Sequence, residues 1–176
     1  MSHTERIYFA GGCFWCMVQP FEDLAGIIAV TSGYTGGTSA DASYERVKQG
    51  TTEHYEAVEI VYDPSKFHLD ELLRLYWPQI DPTDADGQFH DRGPQYRTAI
   101  FYHSESQRLV VERSKQELQK SGRFKQPIVT KVLPAGPFYP AEKEHQQFYK
   151  TNAEYYKADR KASGRDEFIE NYWHTS

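Results

Sequence analysis

The chain has 176 residues, 39% hydrophobic and 26% charged, the size and balance of one globular domain that buries about two-thirds of its unfolded surface. A formal net charge of -5, with no dense run of Lys or Arg, excludes the concentrated basic surface that nucleic-acid binding needs. Thirteen tyrosines, ten phenylalanines and three tryptophans supply the rings that build apolar pockets.

Met1 to Arg6 is polar and lacks the apolar stretch and small-residue cleavage site of a secretory leader, and no segment is long enough to span a bilayer. A soluble, cytoplasmic protein without membrane contact is expected. Ile7 to Ala10 reads as a short buried strand ending at Gly11-Gly12. Cys13 to Gly26 reads as mainly helical, with Val18, Phe21 and Leu24 on one side. Pro20 leaves two readings: a helix from Cys13 kinked by the ring, or a first turn followed by a new helix with Pro20 near its start. Ile27 to Ser32 is a second strand, stopped by Gly33-Tyr34-Thr35-Gly36-Gly37. A long polar loop then holds a short helical piece around Tyr44 to Lys48.

Glu56 to Tyr62 alternates, with Val58, Ile60 and Tyr62 facing one way and Ala57, Glu59 and Val61 the other, until Asp63-Pro64 closes the strand. His68 to Trp77 carries Leu69, Leu72, Leu73 and Tyr76 at helical spacing. Gln79 to Gln95, rich in Asp, Gly and Pro, is long for a plain connection and is a functional-loop candidate. Thr98 to Tyr102 resumes as strand, and Ser104 with Gln107 makes a capping-box start for a helix that Ser121-Gly122 ends. Ile128 to Leu133 reads as strand, Ala141 to Lys150 as helix, and Thr151 to Ser176 as a polar, aromatic tail without a clear period. The order predicts a single domain over residues 1–176, α/β (α+β) in class, with helices packed on a mixed sheet as a two-layer sandwich and no internal repeat.

Both cysteines of the chain lie within four residues, so redox chemistry or metal binding is favoured over a disulfide framework. Cys13 follows a strand and a Gly-Gly pair where a helix begins, a place that favours an anion and can lower a thiol pKa from about 8.5 to roughly 3.5–7.5. Cys16, three residues on, is on the same helical face, at a spacing that a modest distortion can close. Zinc is the weaker reading, because His3, His54, His68, His90, His103, His145 and His174 show no partner motif with metal spacing. By local pattern Phe14 and Trp15 are core residues, Glu56 is a solvated strand-end carboxylate, Tyr44 and Tyr96 are unremarkable among thirteen tyrosines, and Asp91 is a turn former.

Gly11-Gly12-Cys13-Phe14-Trp15, Gly33 to Gly37, Tyr44-Glu45, His54 to Val58, Asp91 to Arg97 and His145-Gln146-Gln147, in that order, resemble the peptide methionine sulfoxide reductase A family over most of the chain. The resemblance implies a two-layer α/β domain with a ferredoxin-like core and reduction of the S epimer of methionine sulfoxide, free or in proteins, as oxidative damage repair. It implies that Cys13 is the nucleophile, that Phe14 and Trp15 cradle the sulfoxide methyl group, that Glu56 is the acid, and that Tyr44, Tyr96 and Asp91 complete the polar side. It implies a monomer with no cofactor and no metal.

A thiolate attacking the sulfoxide sulfur needs the oxygen protonated, so a neutral carboxylic acid must stand beside it. Cys13 then becomes a sulfenic acid, which condenses with a second thiol, and Cys16 is the one available. Thioredoxin is the expected reductant of the resulting disulfide. The chain departs from the common family pattern, which has glycine at the Cys16 position and resolving cysteines in the tail; this tail has none. Glu53-His54-Tyr55 departs too, where the family more often has glycine for Glu53 and a small residue for Tyr55. Two alternatives compete: a thioredoxin-like disulfide oxidoreductase, which leaves Glu56, the Gly33 to Gly37 turn and the Asp91 loop unexplained, and a non-catalytic module that binds methionine-like side chains.

Overall fold

Ile7 and Phe9 alternate with Tyr8 and Ala10 along β1 (Glu5–Gly11), and all four are buried, so this strand needs cover on both faces and lies inside the sheet. In the computed structural model, which describes residues 3–146 and 148–174, the chain continues through β2 (Ile27–Thr35), β3 (Tyr55–Tyr62), a two-residue pair β4 (Gly87–Gln88) and β5 (Asp91–Arg92), β6 (Thr98–Tyr102), β7 (Lys131–Pro134) and β8 (Phe138–Pro140). The main sheet has the order β7-β6-β1-β3-β2-β8. Among the described strands only β6 and β7 pair in parallel, which makes the sheet mixed as expected.

The helices are α1 (Trp15–Val18), α2 (Tyr44–Val47), α3 (Leu69–Tyr76), α4 (Glu105–Lys120), α5 (Phe148–Thr151), α6 (Ala153–Ser163) and α7 (Arg165–Ile169). With α1 between β1 and β2 and α3 between β3 and β6, the inner four strands form an antiparallel β6-β1-β3-β2 set with the two crossovers of a ferredoxin-like core. Leu69, Leu72, Leu73 and Tyr76 of α3 and Val111 and Leu118 of α4 join Ile7, Phe9, Val58, Ile60, Tyr62 and Ile100 in one core. The opposite face carries a smaller cluster of Tyr8, Ala10, Ala57, Ala99 and Phe101, against which Leu133, Ala135 and Phe138 pack. The Ser104 hydroxyl caps α4 by accepting from the Gln107 N–H at 3.2 Å, while the Gln107 side chain accepts from His103, one residue before the cap.

Four segments differ from the sequence expectation, each for a local reason. The Cys13 to Gly26 segment is neither a kinked helix nor two helices: α1 stops at Val18, whose carbonyl takes the N–H groups of Phe21 and Glu22, and the chain turns through Asp23 at φ 66°. Pro20 has no N–H to extend the ladder. β2 runs straight through Gly33, because a Cβ there would lie 2.4 Å from the Tyr139 carbonyl, so glycine serves close pairing with β8, and the turn falls at Gly36 with φ +104°.

β7 starts at Lys131, the Val129 N–H being taken by Pro82 in a loop at 2.7 Å. Ala141 to Lys150 is broken into a 3₁₀ turn at Lys143–His145 and the short α5, since the Gln146 side chain pairs with both the N–H and the carbonyl of Ser32 and with the Ala141 carbonyl. Gln147 of the quoted His145-Gln146-Gln147 motif lies outside the described residues, as do Met1, Ser2 and the last two positions. The tail without a period is α6, α7 and a π-helical turn, docked by Arg165, which is 1% exposed.

Candidate active site

β1 ends beside the start of β3, where Tyr34 of β2 pairs with Glu56. Gly12 follows at φ +91°, a conformation that L side chains resist, and a Cβ on it would meet Gln88 at 2.7 Å and Arg165 at 2.9 Å. The Tyr76 hydroxyl donates to the Ala10 carbonyl at 2.6 Å and Arg165 donates to the Gly11 carbonyl at 3.1 Å, so the chain is held from both sides just before Cys13. Cys13 and Cys16 share one tight turn, the Cys16 N–H donating to the Cys13 carbonyl at 3.1 Å. Both thiols are free, and both cysteines are buried.

Glu56 has the same strand parity as Val58, Ile60 and Tyr62, so it points into the core and is 1% exposed. The solvated strand-end reading is thereby corrected: alternation carries the carboxyl inward. Its Oε1 accepts the Phe14 N–H at 3.2 Å, and Oε2 has no hydrogen-bond partner. Burial pushes its pKa up to about 8; the Phe14 N–H opposes that rise, the Asp91 charge adds to it, and the Tyr96 hydroxyl opposes it without reaching hydrogen-bond geometry to Oε2. Glu56 is therefore a neutral acid at pH 7.

Cys13 departs from expectation in the other direction. Burial, then the charges of Glu56, Cys16 and Asp91, push its thiol well above the ordinary value, and the Trp15 N–H only partly offsets them. A one-turn helix offers too little positive field to outweigh burial among acidic groups.

Tyr44 and Tyr96, from α2 and from the 3₁₀ turn at Pro94–Tyr96, both have hydroxyls raised by burial and then by the Glu56 charge, with Cys13 and Asp91 acting on each as well. Asp91 is raised by burial, against the lowering charges of His90 and Arg165, with Asp159 adding to the rise. Cys13, Cys16, Glu56, Tyr44, Tyr96 and Asp91, far apart in sequence, thus converge on one electrostatic neighbourhood. Phe14 is fully buried and faces Tyr34, Tyr44 and His145 with ring centroids 5.7 to 6.3 Å apart. Trp15 is half-buried, stacked on Phe148 at 3.9 Å with Tyr44 at 6.4 Å and Tyr155 edge-on. Phe14 fits its core reading, whereas Trp15 is a partly exposed member of an aromatic cluster with Tyr44, Phe148 and Tyr155.

Several residues to which the sequence assigns no role also stand at this place, His145 among them although it lies in a quoted motif. His145 accepts from the Trp15 indole N–H at 3.3 Å, stacks on Tyr44 at 4.2 Å, and has its pKa lowered by burial, which keeps the imidazole a neutral acceptor. Glu142 accepts from the Tyr34 hydroxyl at 2.7 Å and from the Tyr44 N–H at 3.0 Å, tying α2 to β2. Burial, then the charge of Cys16, raise the hydroxyl of Tyr156 of α6. Among the described residues no group of three or more His, Cys, Asp or Glu side chains could hold a metal ion, and no helix is long and apolar enough to cross a membrane.

The family model described as peptide methionine sulfoxide reductase matches residues 5–176. The chain is similar to the peptide methionine sulfoxide reductase MsrA of Halalkalibacterium halodurans, 66% identical over 172 residues covering 98% of each chain. Among solved structures it is similar to reduced Mxr1 from Saccharomyces cerevisiae, at TM-score 0.79 and 30% identity over 85% of this chain and 86% of that one. It is also similar to methionine sulfoxide reductase A of Corynebacterium diphtheriae, at TM-score 0.74 and 33% identity over 87% and 77% of the two chains.

Proposed function

The chain belongs to the peptide methionine sulfoxide reductase family, and on that premise we propose that it reduces the S epimer of methionine sulfoxide, free or in proteins, through a Cys13 sulfenic acid and a Cys13–Cys16 disulfide. Family membership displaces the thioredoxin-like oxidoreductase and the non-catalytic binding module. The observation that carries the mechanism is Glu56, buried beside Cys13 with Oε2 unpartnered and its pKa near 8. A carboxyl kept neutral with one oxygen free is what a departing sulfoxide oxygen needs.

In the first step the Cys13 sulfur attacks the sulfoxide sulfur. Glu56 gives the proton it already carries to the sulfoxide oxygen and is later reprotonated from solvent, which takes the proton the Cys13 thiol releases, so one proton is transferred overall. The sulfur–sulfur bond formed by the attack then breaks together with the sulfur–oxygen bond of the substrate, the protonated oxygen passing to Cys13 as methionine leaves, so the sulfoxide gains two electrons and Cys13 loses them. Tyr44 and Tyr96, with hydroxyls held protonated, donate to the same oxygen, and Asp91 borders it. Phe14 and Trp15 receive the methyl group, with Tyr44 and Phe148 stacked beside Trp15.

Cys16 then displaces the hydroxyl from Cys13 as water and leaves a disulfide. Thioredoxin reduces that disulfide by exchange; the yeast relative Mxr1 is known in complex with Trx2, which supports a thioredoxin as reductant. The test is consumption of the separated R and S epimers with dithiothreitol and with thioredoxin. Turnover of the S epimer with both reductants is expected. Turnover of the R epimer alone, or of neither, overturns the reading.

A further inference from the structure

Tyr44 opens α2, a helix of one turn inside a long polar loop, and so short a helix has too few internal bonds to fix its own place. Its C-terminal end is anchored by the fully buried Val47 and by the Gln95 amide, which donates to the Lys48 carbonyl at 3.0 Å. Its N-terminal end is held by Glu142. Glu142 Oε2 accepts the Tyr44 N–H at 3.0 Å, a donor with no partner inside the helix, and Oε1 accepts the Tyr34 hydroxyl at 2.7 Å. Tyr34 is fully buried in β2 and stands opposite Glu56 in the β2–β3 register. One carboxylate thus joins the strand pair that carries the acid to the helix that carries Tyr44.

We propose that Glu142 is a positioning residue for the reduction step, which holds Tyr44 in place relative to Glu56 so that both serve the departing oxygen, and does not touch the substrate itself. The proposal rests on the reading of Tyr44 as a donor to the sulfoxide oxygen. Burial disfavours the Glu142 charge, but the Tyr34 hydroxyl and the Tyr44 N–H outweigh it and hold its pKa below the ordinary carboxylate value, so both bonds go to a charged acceptor. The His145 ring stacks on Tyr44 at 4.2 Å with planes 25° apart, and His145 ends the 3₁₀ turn that Glu142 begins. The turn therefore grips Tyr44 by its backbone and by its ring.

Placement is what a donor of this kind contributes, and a shift of about 1 Å can cost up to about 10²-fold in rate. Glu142 is exposed, and its segment is tied to β2 by other bonds: the Ala141 N–H donates to the Ser32 carbonyl at 2.8 Å, and the Gln146 side chain donates to it at 2.9 Å. Removing the Glu142 carboxyl therefore leaves sheet and core intact. A residue that acts through Tyr44 matters only while Tyr44 has its hydroxyl, whereas a merely structural residue matters equally without it.

The experiment measures methionine formation in a single turnover of the reduced enzyme at saturating S sulfoxide. Glu142→Ala is expected to slow it about tenfold, with little change in the concentration that half-saturates, because the donor acts as the oxygen leaves. Glu142→Gln keeps more of the rate, since its amide oxygen can take the Tyr44 N–H while its NH₂ group donates to the Tyr34 hydroxyl oxygen. Tyr34→Phe removes one of the two bonds and also slows the step. In a Tyr44→Phe background, which keeps the N–H and loses only the hydroxyl, Glu142→Ala costs less than about twofold more. If Glu142→Ala loses its fold by circular dichroism, Tyr34→Phe in the same two backgrounds decides. A parent rate in folded Glu142→Ala, or a loss as large in the Tyr44→Phe background as in the parent, overturns the proposal while leaving Tyr44 its role. A parent rate in Tyr44→Phe alone would remove the donor role of Tyr44, and the proposal with it, a separate failure.

Discussion

The Phe14 N–H donates to Glu56 Oε1 at 3.2 Å, so the residue that follows the nucleophile holds one oxygen of the acid and leaves the other free. Glu56→Gln can keep that bond through its amide oxygen while losing the ability to deliver a proton. Methionine formation in a single turnover is expected to fall by about 10²- to 10⁴-fold. Alkylation of Cys13 by iodoacetamide at about pH 9 should move the opposite way and become faster, because the charge of ionised Glu56 is the second-largest cause raising the thiol. Parallel losses in both assays would mean that the substitution merely disturbs the pocket.

The first step needs Cys13 ionised and Glu56 protonated, one proton between two groups. With the Glu56 pKa near 8 and Cys13 higher still, the doubly protonated enzyme dominates below about pH 8. The single-turnover rate at low substrate is therefore expected to climb with pH to about 8, level off, and fall once the second group titrates. Stopped-flow rates across pH check this. A rate that already declines through neutrality would mean that both groups of the pair titrate below pH 7 in the fold.

Stability carries the same proton. The Glu56 carboxyl has its ordinary value of 4.5 when unfolded and about 8 when folded. Between those values the folded state holds a proton that the unfolded chain has lost. The stabilisation is therefore complete at low pH and disappears as pH rises toward 8, with a slope approaching about 1.4 kcal/mol per pH unit. Urea unfolding of parent and Glu56→Gln should show this decline in the difference between their curves. Curves that stay parallel from about pH 5 to pH 8 would show a carboxyl that titrates normally in the fold.

What the sequence made visible was periodic, and what it hid was long-range. Leu69, Leu72, Leu73 and Tyr76 repeat at helical spacing, and Val58, Ile60 and Tyr62 alternate, so α3 and β3 could be read directly. The alternation even contained the burial of Glu56, two residues before Val58, although a carboxyl at a strand end is ordinarily solvated. Gly33 looked like a turn because its need for close approach to Tyr139 arises from a strand more than a hundred residues away. The raised Cys13 thiol was hidden for the same reason, since the carboxyls that oppose its ionisation come from β3 and β5. Arg160 and Arg165 resemble solvated helix charges until the tail is folded onto the site.

Cys16→Ser separates the two halves of the cycle. One equivalent of methionine per chain is expected in the absence of reductant, with a persistent sulfenic acid on Cys13 that dimedone captures quantitatively. Steady turnover with thioredoxin should collapse, because no second sulfur is present in the chain to form the exchangeable disulfide. Mass spectrometry of the trapped protein reads the outcome. Loss of the first equivalent as well would place Cys16 in the reduction step itself.

Arg165 couples the C-terminal helices to the nucleophile. It is 1% exposed, donates to the Gln79 carbonyl at 2.5 Å and to the Gly11 carbonyl at 3.1 Å, and sits over the Phe89 ring at 4.8 Å, while its Nε has no partner. Among the described residues no carboxylate is bonded to it, so its burial is compensated by carbonyls and the ring face and by the more distant Asp91 charge. Arg165→Met fills similar volume but leaves two buried carbonyls without donors, one of them just before Gly12. A loss of about 2–4 kcal/mol is expected from the missing charge-assisted bonds, reduced by relief of the unpaired cation. Because the Gly11 carbonyl precedes Cys13 by two residues, the variant should also lower the single-turnover rate at saturating substrate, in the same preparations whose unfolding is followed by urea. A variant with lowered stability and an unaltered rate would make Arg165 a clasp for the tail alone; a lowered rate that Arg165→Lys restores in part would tie its charge to the placement of Cys13.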